Sequence, residues 1–282
     1  MRLVRYGEAG KEKPGILDSN GAIRDLSGVV ADIDGAALSA EGLAKIRGVN
    51  MESLPKVAGS PRLGAPVANA SKLIAIGLNY SDHAKESNMP IPGEPIVFMK
   101  ATTAICGPSD TVMLPRGSKK GDWEVELAFV VGRKAQSVSE ADAVNYVAGY
   151  CVCNDVSERE WQLERGGQWV KGKSFDTFAP IGPWLVTTDE IRDPQNLAMW
   201  LDLNGKRMQT GNTSTMIFGV RKLLSYLSHC MTLLPGDIVT TGTPPGVGAG
   251  IKPNPVFLKG GDTMRLGIDG LGEQKQEVKN VG

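Results

Sequence analysis

Continuous runs of apolar residues predict that this chain contains several buried β-strands. Residues 73–77 (LIAIG), 125–132 (VELAFVVG) and 147–154 (VAGYCVCN) are almost wholly apolar. Runs of this length, rich in β-branched residues, are typical of strands with neighbours on both faces. We therefore expect these three segments to lie inside a sheet.

A second pattern predicts hairpins and tight turns. Residues 199–203 and 207–208 flank the dipeptide Asn204-Gly205, which favours a hairpin with a type I′ turn. The chain also contains 35 Gly and 17 Pro, a composition that favours short strands joined by turns. The prediction is a mainly β protein with α+β elements.

The first 68 residues predict a small N-terminal α/β domain, and residues 69–282 form the second predicted domain. Residues 53–71, rich in Pro, Gly and Ser, predict a connector that carries a short strand. The predicted elements of the first domain are a strand at 3–6, a hairpin from 15–17 and 22–24, and a helix at 39–47.

Apolar residues at helical spacing predict one clear amphipathic helix in the second domain. Its apolar positions are Ile217, Val220, Leu223, Leu224, Leu227 and Met231. Ser139 is predicted to cap a helix that runs to about Tyr146. Strands are expected again at residues 238–241 and 264–268.

Charge and targeting signals narrow the class of protein. Lys+Arg and Asp+Glu both number 31, so we expect no affinity for nucleic acid or an anionic membrane surface. No apolar run is long enough to span a bilayer, and the N-terminus lacks a secretory signal. The four scattered cysteines do not form a disulfide framework. We expect a cytoplasmic protein.

His83 and Glu86 are the first candidates for chemistry. They are three residues apart in the run SDHAKE, so on a helical turn they share a face. A histidine oriented by a carboxylate is a typical general base. The alternative is a hydrogen-bonded structural histidine at a strand end. The other histidine, His229, suits the C-terminus of the amphipathic helix, where it is interpreted as structural.

Three carboxylates are the candidate metal ligands. Glu124 and Glu126 are two residues apart at the start of an apolar strand, so they point to the same side. Asp155 ends another apolar strand and is a plausible third ligand. Buried carboxylates side by side need a compensating cation, and an all-oxygen set suits Mg²⁺ or Mn²⁺. A solvated strand face with surface ion pairs is the alternative.

Five sequence blocks together resemble the motifs of the fumarylacetoacetate hydrolase family. They occur in the family's order and span the second predicted domain. The blocks are residues 77–86, with the N-Y-x-x-H-x-x-E pattern, 123–127 (WEVEL), 154–157 (NDVS), 172–180 (GKSFDTFAP) and 241–248 (TGTPPGVG).

This resemblance implies a mixed β-sandwich roll with a metal at its open end, preceded by a small N-terminal domain, in a homodimer or a dimer of dimers. It implies Glu124, Glu126 and Asp155 as ligands of one Mg²⁺ or Mn²⁺ ion per subunit, and His83 and Glu86 as the water-activating dyad. A further carboxylate ligand of the family has no match here, so we expect three protein ligands.

The resemblance also suggests residues that contact the substrate. It places Lys173, in the GKSFD block, beside the reacting oxygens as a catalytic residue. Arg159 and Gln162 match substrate-contacting positions, although a surface helical turn is the alternative. Lys100 either contacts substrate or only neutralises a carboxylate. The remaining candidate contacts are Tyr80 and Thr243, with the glycine-rich neighbours of Thr243.

The activity implied is metal-dependent hydrolysis of a carbon–carbon bond in a small anionic 2,4-diketo acid, giving pyruvate and a second acid. The candidate substrates are an acylpyruvate or a 2,4-diketo-3-deoxy sugar acid, with the sugar acid preferred. The alternatives at the same site are oxaloacetate decarboxylation, 5-carboxymethyl-2-hydroxymuconate-type isomerisation and a ureidoglycolate lyase-like reaction. A non-catalytic α-keto acid binding protein is the alternative from another class. Residues 81–95 are a candidate lid.

Overall fold

The chain folds into short strands and a few helices, as a computed structural model describes it over residues 1–86 and 88–282. The α-helices are α1 (Ala40–Arg47), α2 (Ser81–Glu86), α3 (Val170–Lys173) and α4 (Val220–Cys230). The strands are β1 (Arg2–Tyr6), β2 (Lys13–Leu17), β3 (Ile23–Asp25), β4 (Leu63–Gly64), β5 (Leu73–Gly77), β6 (Ile96–Lys100), β7 (Ile105–Cys106), β8 (Val112–Leu114), β9 (Gly121–Asp122), β10 (Val125–Val131), β11 (Val147–Asn154), β12 (Ser157–Glu158), β13 (Ala179–Thr187), β14 (Ala198–Leu203), β15 (Lys206–Asn212), β16 (Ile238–Thr240), β17 (Thr263–Ile268) and β18 (Gly272–Asn280).

A large mixed sheet forms the centre of the molecule. Its strand order is β3-β2-β1-β13-β11-β10-β16-β5-β6. Strand β10 pairs antiparallel with both β11 and β16, and every residue of β10 and β11 is buried. The three apolar runs of the sequence are therefore strands inside a sheet, as predicted.

A second sheet covers one face of the first. Its order is β15-β14-β17-β18-β8, and its strands pack against β10, β11 and β13. The hydrophobic core includes side chains from both sheets, among them Leu127, Phe129 and Leu266. The mainly β fold with mixed, packed sheets confirms the predicted fold class.

The N-terminal strands extend the large sheet. Strand β1 pairs antiparallel with β13, with Leu3 opposite Leu185, and β2 and β3 continue outward from β1. The predicted strand, hairpin and helix of this segment are all present, and Ser39 caps α1 by accepting the N–H of Gly42. The domain boundary at residue 68 stays a prediction, because strand pairing joins both units.

Two predicted helices differ from the structure. Ser139 bonds to Asp142, but only a 3-10 turn (Ala143–Tyr146) follows, since β11 begins at Val147. Helix α4 begins at Val220 rather than near Ile217. The N–H groups of Ile217 and Phe218 donate instead to Asn79, at 2.8 Å each.

The predicted turn at Asn204-Gly205 is confirmed. Both residues have positive φ, +52° and +79°, as a type I′ turn requires, and β14 and β15 pair on either side of it. Strand β18 was not predicted, because its residues alternate between buried and exposed with Gln and charged side chains. Across the described ranges, none of the helices combines the length and apolarity that crossing a bilayer requires.

Candidate active site

Three buried carboxylates lie together where β10 begins and β11 ends. In the antiparallel register, Glu126 is opposite Cys153, and the N–H of Asp155 donates to the carbonyl of Glu124 at 2.9 Å. One carboxylate oxygen each from Glu124, Glu126 and Asp155 lies within 4.8 Å of the others. The antiparallel pairing therefore brings a third carboxylate beside the two that their spacing places on one side.

Cationic side chains compensate two of these three carboxylates. Lys173 Nζ lies 2.7 Å from Glu124 Oε2 and 2.7 Å from Asp155 Oδ2. Arg159 Nη2 lies 2.6 Å from Glu124 Oε1, and the Lys100 ammonium donates to Asp155 Oδ1. Burial tends to raise the pKa of Glu124, but Lys173 and Arg159 outweigh it and lower that pKa to about 2.

Glu126 is the carboxylate whose charged form its surroundings destabilise. Burial and the neighbouring charges of Asp155 and Glu124 raise its pKa well above the usual value. The N–H of Gly242 donates to it at 2.8 Å, and within the described ranges no lysine, arginine or histidine forms an ion pair with it. A bound divalent cation would stabilise the charged form of Glu126.

The chemistry of the cluster fits a hard divalent ion. Oxygen ligands at the Mg²⁺ bond length of 2.0–2.1 Å lie about 3 to 4 Å apart. The three carboxylate oxygens lie within 4.8 Å of one another, which is compatible with that separation. Each of the three side chains is a carboxylate, the ligand type that Mg²⁺ and Mn²⁺ prefer. The residues present therefore fit the predicted metal.

The dyad has the geometry that its spacing predicted. His83 and Glu86 lie on α2, and His83 Nδ1 is 3.1 Å from Glu86 Oε2. The Glu86 carboxylate also accepts the N–H of Gly246, at 3.2 Å. Since Nδ1 faces Glu86, His83 Nε2 is the nitrogen left to exchange a proton with a ligand.

One cavity of about 320 Å³ is lined both by His83 of the dyad and by Glu124 and Glu126 of the carboxylate cluster. Its polar lining includes His83, Glu124, Glu126, Arg159, Gln162 and Lys173. Its apolar lining includes Ile96, Phe98 and Trp169, with the Phe98 and Trp169 rings edge to face at 5.2 Å. Met89, from the candidate lid at residues 81–95, also lines the cavity; Ser87 of that segment lies outside the described residues.

The structure separates the predicted substrate contacts into two groups. Arg159, Gln162 and Thr243 line the cavity. Arg159 and Gln162 are both buried and bond to each other at 3.0 Å, which excludes the alternative of a surface turn. The Thr243 hydroxyl is engaged within the protein, because it donates to the carbonyl of Val125 at 2.9 Å.

Tyr80 and Lys100 do not contribute to the cavity lining that the described residues form. The Tyr80 side chain is fully buried, with its hydroxyl 3.2 Å from Met199 Sδ, so the prediction of a substrate contact is corrected. Lys100 donates to Asp155 and to the carbonyl of Val156. That placement agrees with its alternative interpretation as a group that neutralises a carboxylate.

Sequence reasoning gave no role to Asn79, the first residue of the N-Y-x-x-H-x-x-E pattern, and did not single out Asp122. Asn79 Nδ2 donates to the carbonyls of Phe218 and Thr241, at 3.0 and 2.8 Å. It therefore ties the segment that carries the dyad to α4 and to the end of β16. The available signal was a polar residue two positions after the end of a buried strand.

Replacing Asn79 with alanine should lower the free energy of unfolding by about 3 kcal/mol, because each buried polar group left unpaired costs about 1–3 kcal/mol. Urea unfolding of Asn79→Ala measures this. The exposed Asn20→Ala is the control and should unfold at the wild-type midpoint. Equal midpoints for both variants would contradict the role given to Asn79.

Comparisons with known proteins add a family and several relatives. The chain matches the family model described as fumarylacetoacetate (FAA) hydrolase C-terminal over residues 72–279. A curated protein of Burkholderia ambifaria, provisionally named a hydrolase, is 63% identical over 281 residues, with 100% of each chain covered.

Solved structures of named enzymes are also similar. The structure of 5-carboxymethyl-2-hydroxymuconate delta-isomerase from Mycobacterium smegmatis is 32% identical with a TM-score of 0.77, and both chains are covered completely. Maleylpyruvate hydrolase from Sphingobium sp. SYK-6, in complex with manganese(II) and pyruvate, is 29% identical with a TM-score of 0.84 and the same complete coverage.

Proposed function

The chain belongs to the fumarylacetoacetate hydrolase family, and on this premise we propose that it is a divalent-metal-dependent hydrolase of 2,4-diketo acids. The products are pyruvate and a second acid, formed by cleavage of a carbon–carbon bond with water. One observation carries the proposal: His83 of the His–Glu dyad lines the same cavity as Glu124 and Glu126 of the buried three-carboxylate cluster.

The carboxylates are assigned to the metal. Glu124, Glu126 and Asp155 would hold a Mg²⁺ or Mn²⁺ ion, which when bound polarises the keto acid end of the substrate and offsets developing negative charge. The maleylpyruvate hydrolase of Sphingobium holds manganese and pyruvate in its crystal structure. That complex supports an α-keto acid as the group bound at this end of the cavity.

The dyad is assigned to water activation. His83 Nε2 takes a proton from water while Glu86 holds Nδ1, and the oxygen of that water attacks the distal carbonyl of the substrate. The bond between that carbonyl carbon and the methylene breaks, and its electron pair goes to the pyruvate fragment. The proton on His83 returns to this fragment, so that substrate plus water equals pyruvate plus the second acid.

Lys173 is assigned to charge stabilisation. Burial lowers its pKa, but the Asp155 and Glu124 carboxylates outweigh burial and raise the pKa above the usual value, so the side chain is an ammonium at neutral pH. It lines the cavity beside two of the carboxylates. A fixed cation here stabilises the oxyanion that forms as water adds.

Isomerisation is the second candidate, because a structurally similar protein from Mycobacterium smegmatis is an isomerase by name. The retained dyad favours hydrolysis, since it provides a base for water. The side chains of Ile96 and Phe98 on the apolar wall offer no hydrogen-bond partner to hydroxyl groups. Acylpyruvates with apolar acyl groups should therefore be tested together with the diketo sugar acids. We also propose that the protein forms a homodimer.

A mass-spectrometric screen in ¹⁸O-labelled water tests the reaction. The Mn²⁺-loaded protein should convert at least one 2,4-diketo acid into pyruvate and a second acid whose carboxylate carries the heavy oxygen. EDTA should abolish the products. An isomer of unchanged mass would indicate the isomerase, loss of CO₂ a decarboxylase, and no conversion of any substrate a binding protein.

A further inference from the structure

The loop of residues 246–250 determines where the Glu86 carboxylate can lie. The Gly246 N–H donates to both Glu86 oxygens at 3.2 Å. A methyl group on Gly250 would lie 3.1 Å from Glu86 Oε2, so the backbone there is already packed closely against the carboxylate. Because Glu86 orients His83, a shift of this loop would move the base.

Asp122 and Trp123 hold this loop from the other side. Asp122 Oδ1 accepts the N–H of Gly248 at 2.7 Å, and Oδ2 accepts the N–H of Ala249 at 3.0 Å. The indole N–H of Trp123 donates to the carbonyl of Gly246 at 3.1 Å. Asp122 is fully buried, and it lies outside the cavity lining that the described residues form.

We propose that Asp122 is a positioning residue for the His83–Glu86 dyad and acts through the loop of residues 246–250. The catalytic part of this inference rests on the proposed function. The contacts between Asp122, the loop and Glu86 do not depend on it. A buried carboxylate that fixes two successive N–H groups gives the loop one position. That position supplies the Gly246 N–H and the close Gly250 backbone to Glu86.

Charge explains why this position needs an aspartate. Asp122 Oδ1 accepts from the N–H groups of Trp123 and Gly248, and Oδ2 accepts from Ala249 and from Arg159 Nε at 2.8 Å. Every neighbour of the carboxylate is thus a donor. An asparagine must turn its NH₂ group toward one of these donor pairs, which breaks half of the contacts without changing the size of the side chain.

The same aspartate also reaches the carboxylate cluster. Arg159, held by Asp122, pairs with Glu124, so a substitution of Asp122 affects two parts of the site. The two effects can be separated, because loss through Arg159 changes metal affinity and KM, whereas loss through the loop changes kcat. The test therefore measures both.

Histidine NMR tests the positioning without any substrate. The chain has two histidines, and His229 bonds to the carbonyl of Ser225 on α4, so it serves as an internal reference. Asp122→Asn should move the ring signal of His83 and leave that of His229 in place. The matched control is Asp237→Asn, since Asp237 is also fully buried, accepts backbone N–H groups and pairs with Lys72.

Kinetics then test the route through the dyad. Asp122→Asn should lower kcat about 10- to 100-fold, the scale of a misplacement of about 1 Å. Any change in KM or Mn²⁺ affinity in the same variant measures the separate loss through Arg159. In the His83→Gln background the same change should lower kcat little further, because the base is already absent. Gly250→Ala, which pushes on Glu86 directly, should reproduce the kcat loss even if Asp122→Asn fails to fold.

Two results would overturn the inference. One is an unmoved His83 signal in both Asp122→Asn and Gly250→Ala. The other is a loss of kcat by Asp122→Asn that is equal in the wild-type and His83→Gln backgrounds, which indicates a purely structural role. If the wild-type protein turns over no substrate, the proposed function fails, and the NMR comparison alone decides the role of Asp122.

Discussion

His83→Gln is expected to lower kcat about 10²- to 10⁴-fold, the usual contribution of a positioned general base. Glutamine has similar reach but does not accept and return a proton at neutral pH. The ring lies 3.1 Å from Glu86 and lines the cavity that holds the carboxylates, so the loss should fall on the chemical step. Steady-state kinetics with Mn²⁺ on a confirmed substrate measure it.

The chain provides its own control for this variant. His229 lies near the end of α4, exposed, with its Nδ1 2.7 Å from the carbonyl of Ser225. His229→Gln should leave kcat unchanged, and Mn²⁺ affinity should be the same in both variants. A His83→Gln protein with wild-type kcat would show that His83 is not the general base, whatever its Mn²⁺ affinity.

Glu126→Gln is expected to weaken Mn²⁺ binding by at least about 100-fold. Changes to groups that only support metal ligands already cost about 10- to 100-fold, and here a charged ligand is lost. The folded protein without metal should not lose stability, because the neutral amide removes a buried charge that Glu124 and Asp155 repel. Isothermal titration with Mn²⁺ and thermal unfolding in EDTA measure the two effects.

Glu12→Gln is the matched control for this second variant. Glu12, in the N-terminal segment, is also largely shielded from solvent and pairs with Arg62 at 2.9 Å, and it is not among the described residues that line the cavity. Its replacement should leave Mn²⁺ affinity at the wild-type value. The raised melting temperature that Mn²⁺ gives to a protein that binds it should disappear in Glu126→Gln only. An unchanged Mn²⁺ affinity in that variant would show that the ion binds elsewhere.

Much of the fold follows from local sequence. The strands β5, β10 and β11 and the Asn-Gly turn before β15 were predicted from the sequence. Each leaves its signal, a continuous apolar run or a dipeptide that accepts positive φ, within a few consecutive residues. The start of α4 was not predicted correctly. Ile217 fits the predicted helical pattern, but its N–H and that of Phe218 donate to Asn79, about 140 residues earlier in the chain. No local pattern contains that contact.

The candidate site shows the same division. The dyad was predicted because positions i and i+3 share a helical face, and the Glu124–Glu126 pair because alternate residues of a strand do. The family resemblance suggested Lys173. Tyr80 was misplaced and Asp122 was missed because each depends on partners distant in sequence, Met199 for Tyr80 and the Gly248–Ala249 backbone for Asp122.

An anomalous difference map from crystals soaked in Mn²⁺ tests the central claim most directly. We predict one strong peak per chain, bonded to oxygens of Glu124, Glu126 and Asp155 at about 2.1–2.2 Å, with coordination positions left open toward His83. The absence of a peak between these carboxylates, with the crystals soaked to saturation, would contradict the account.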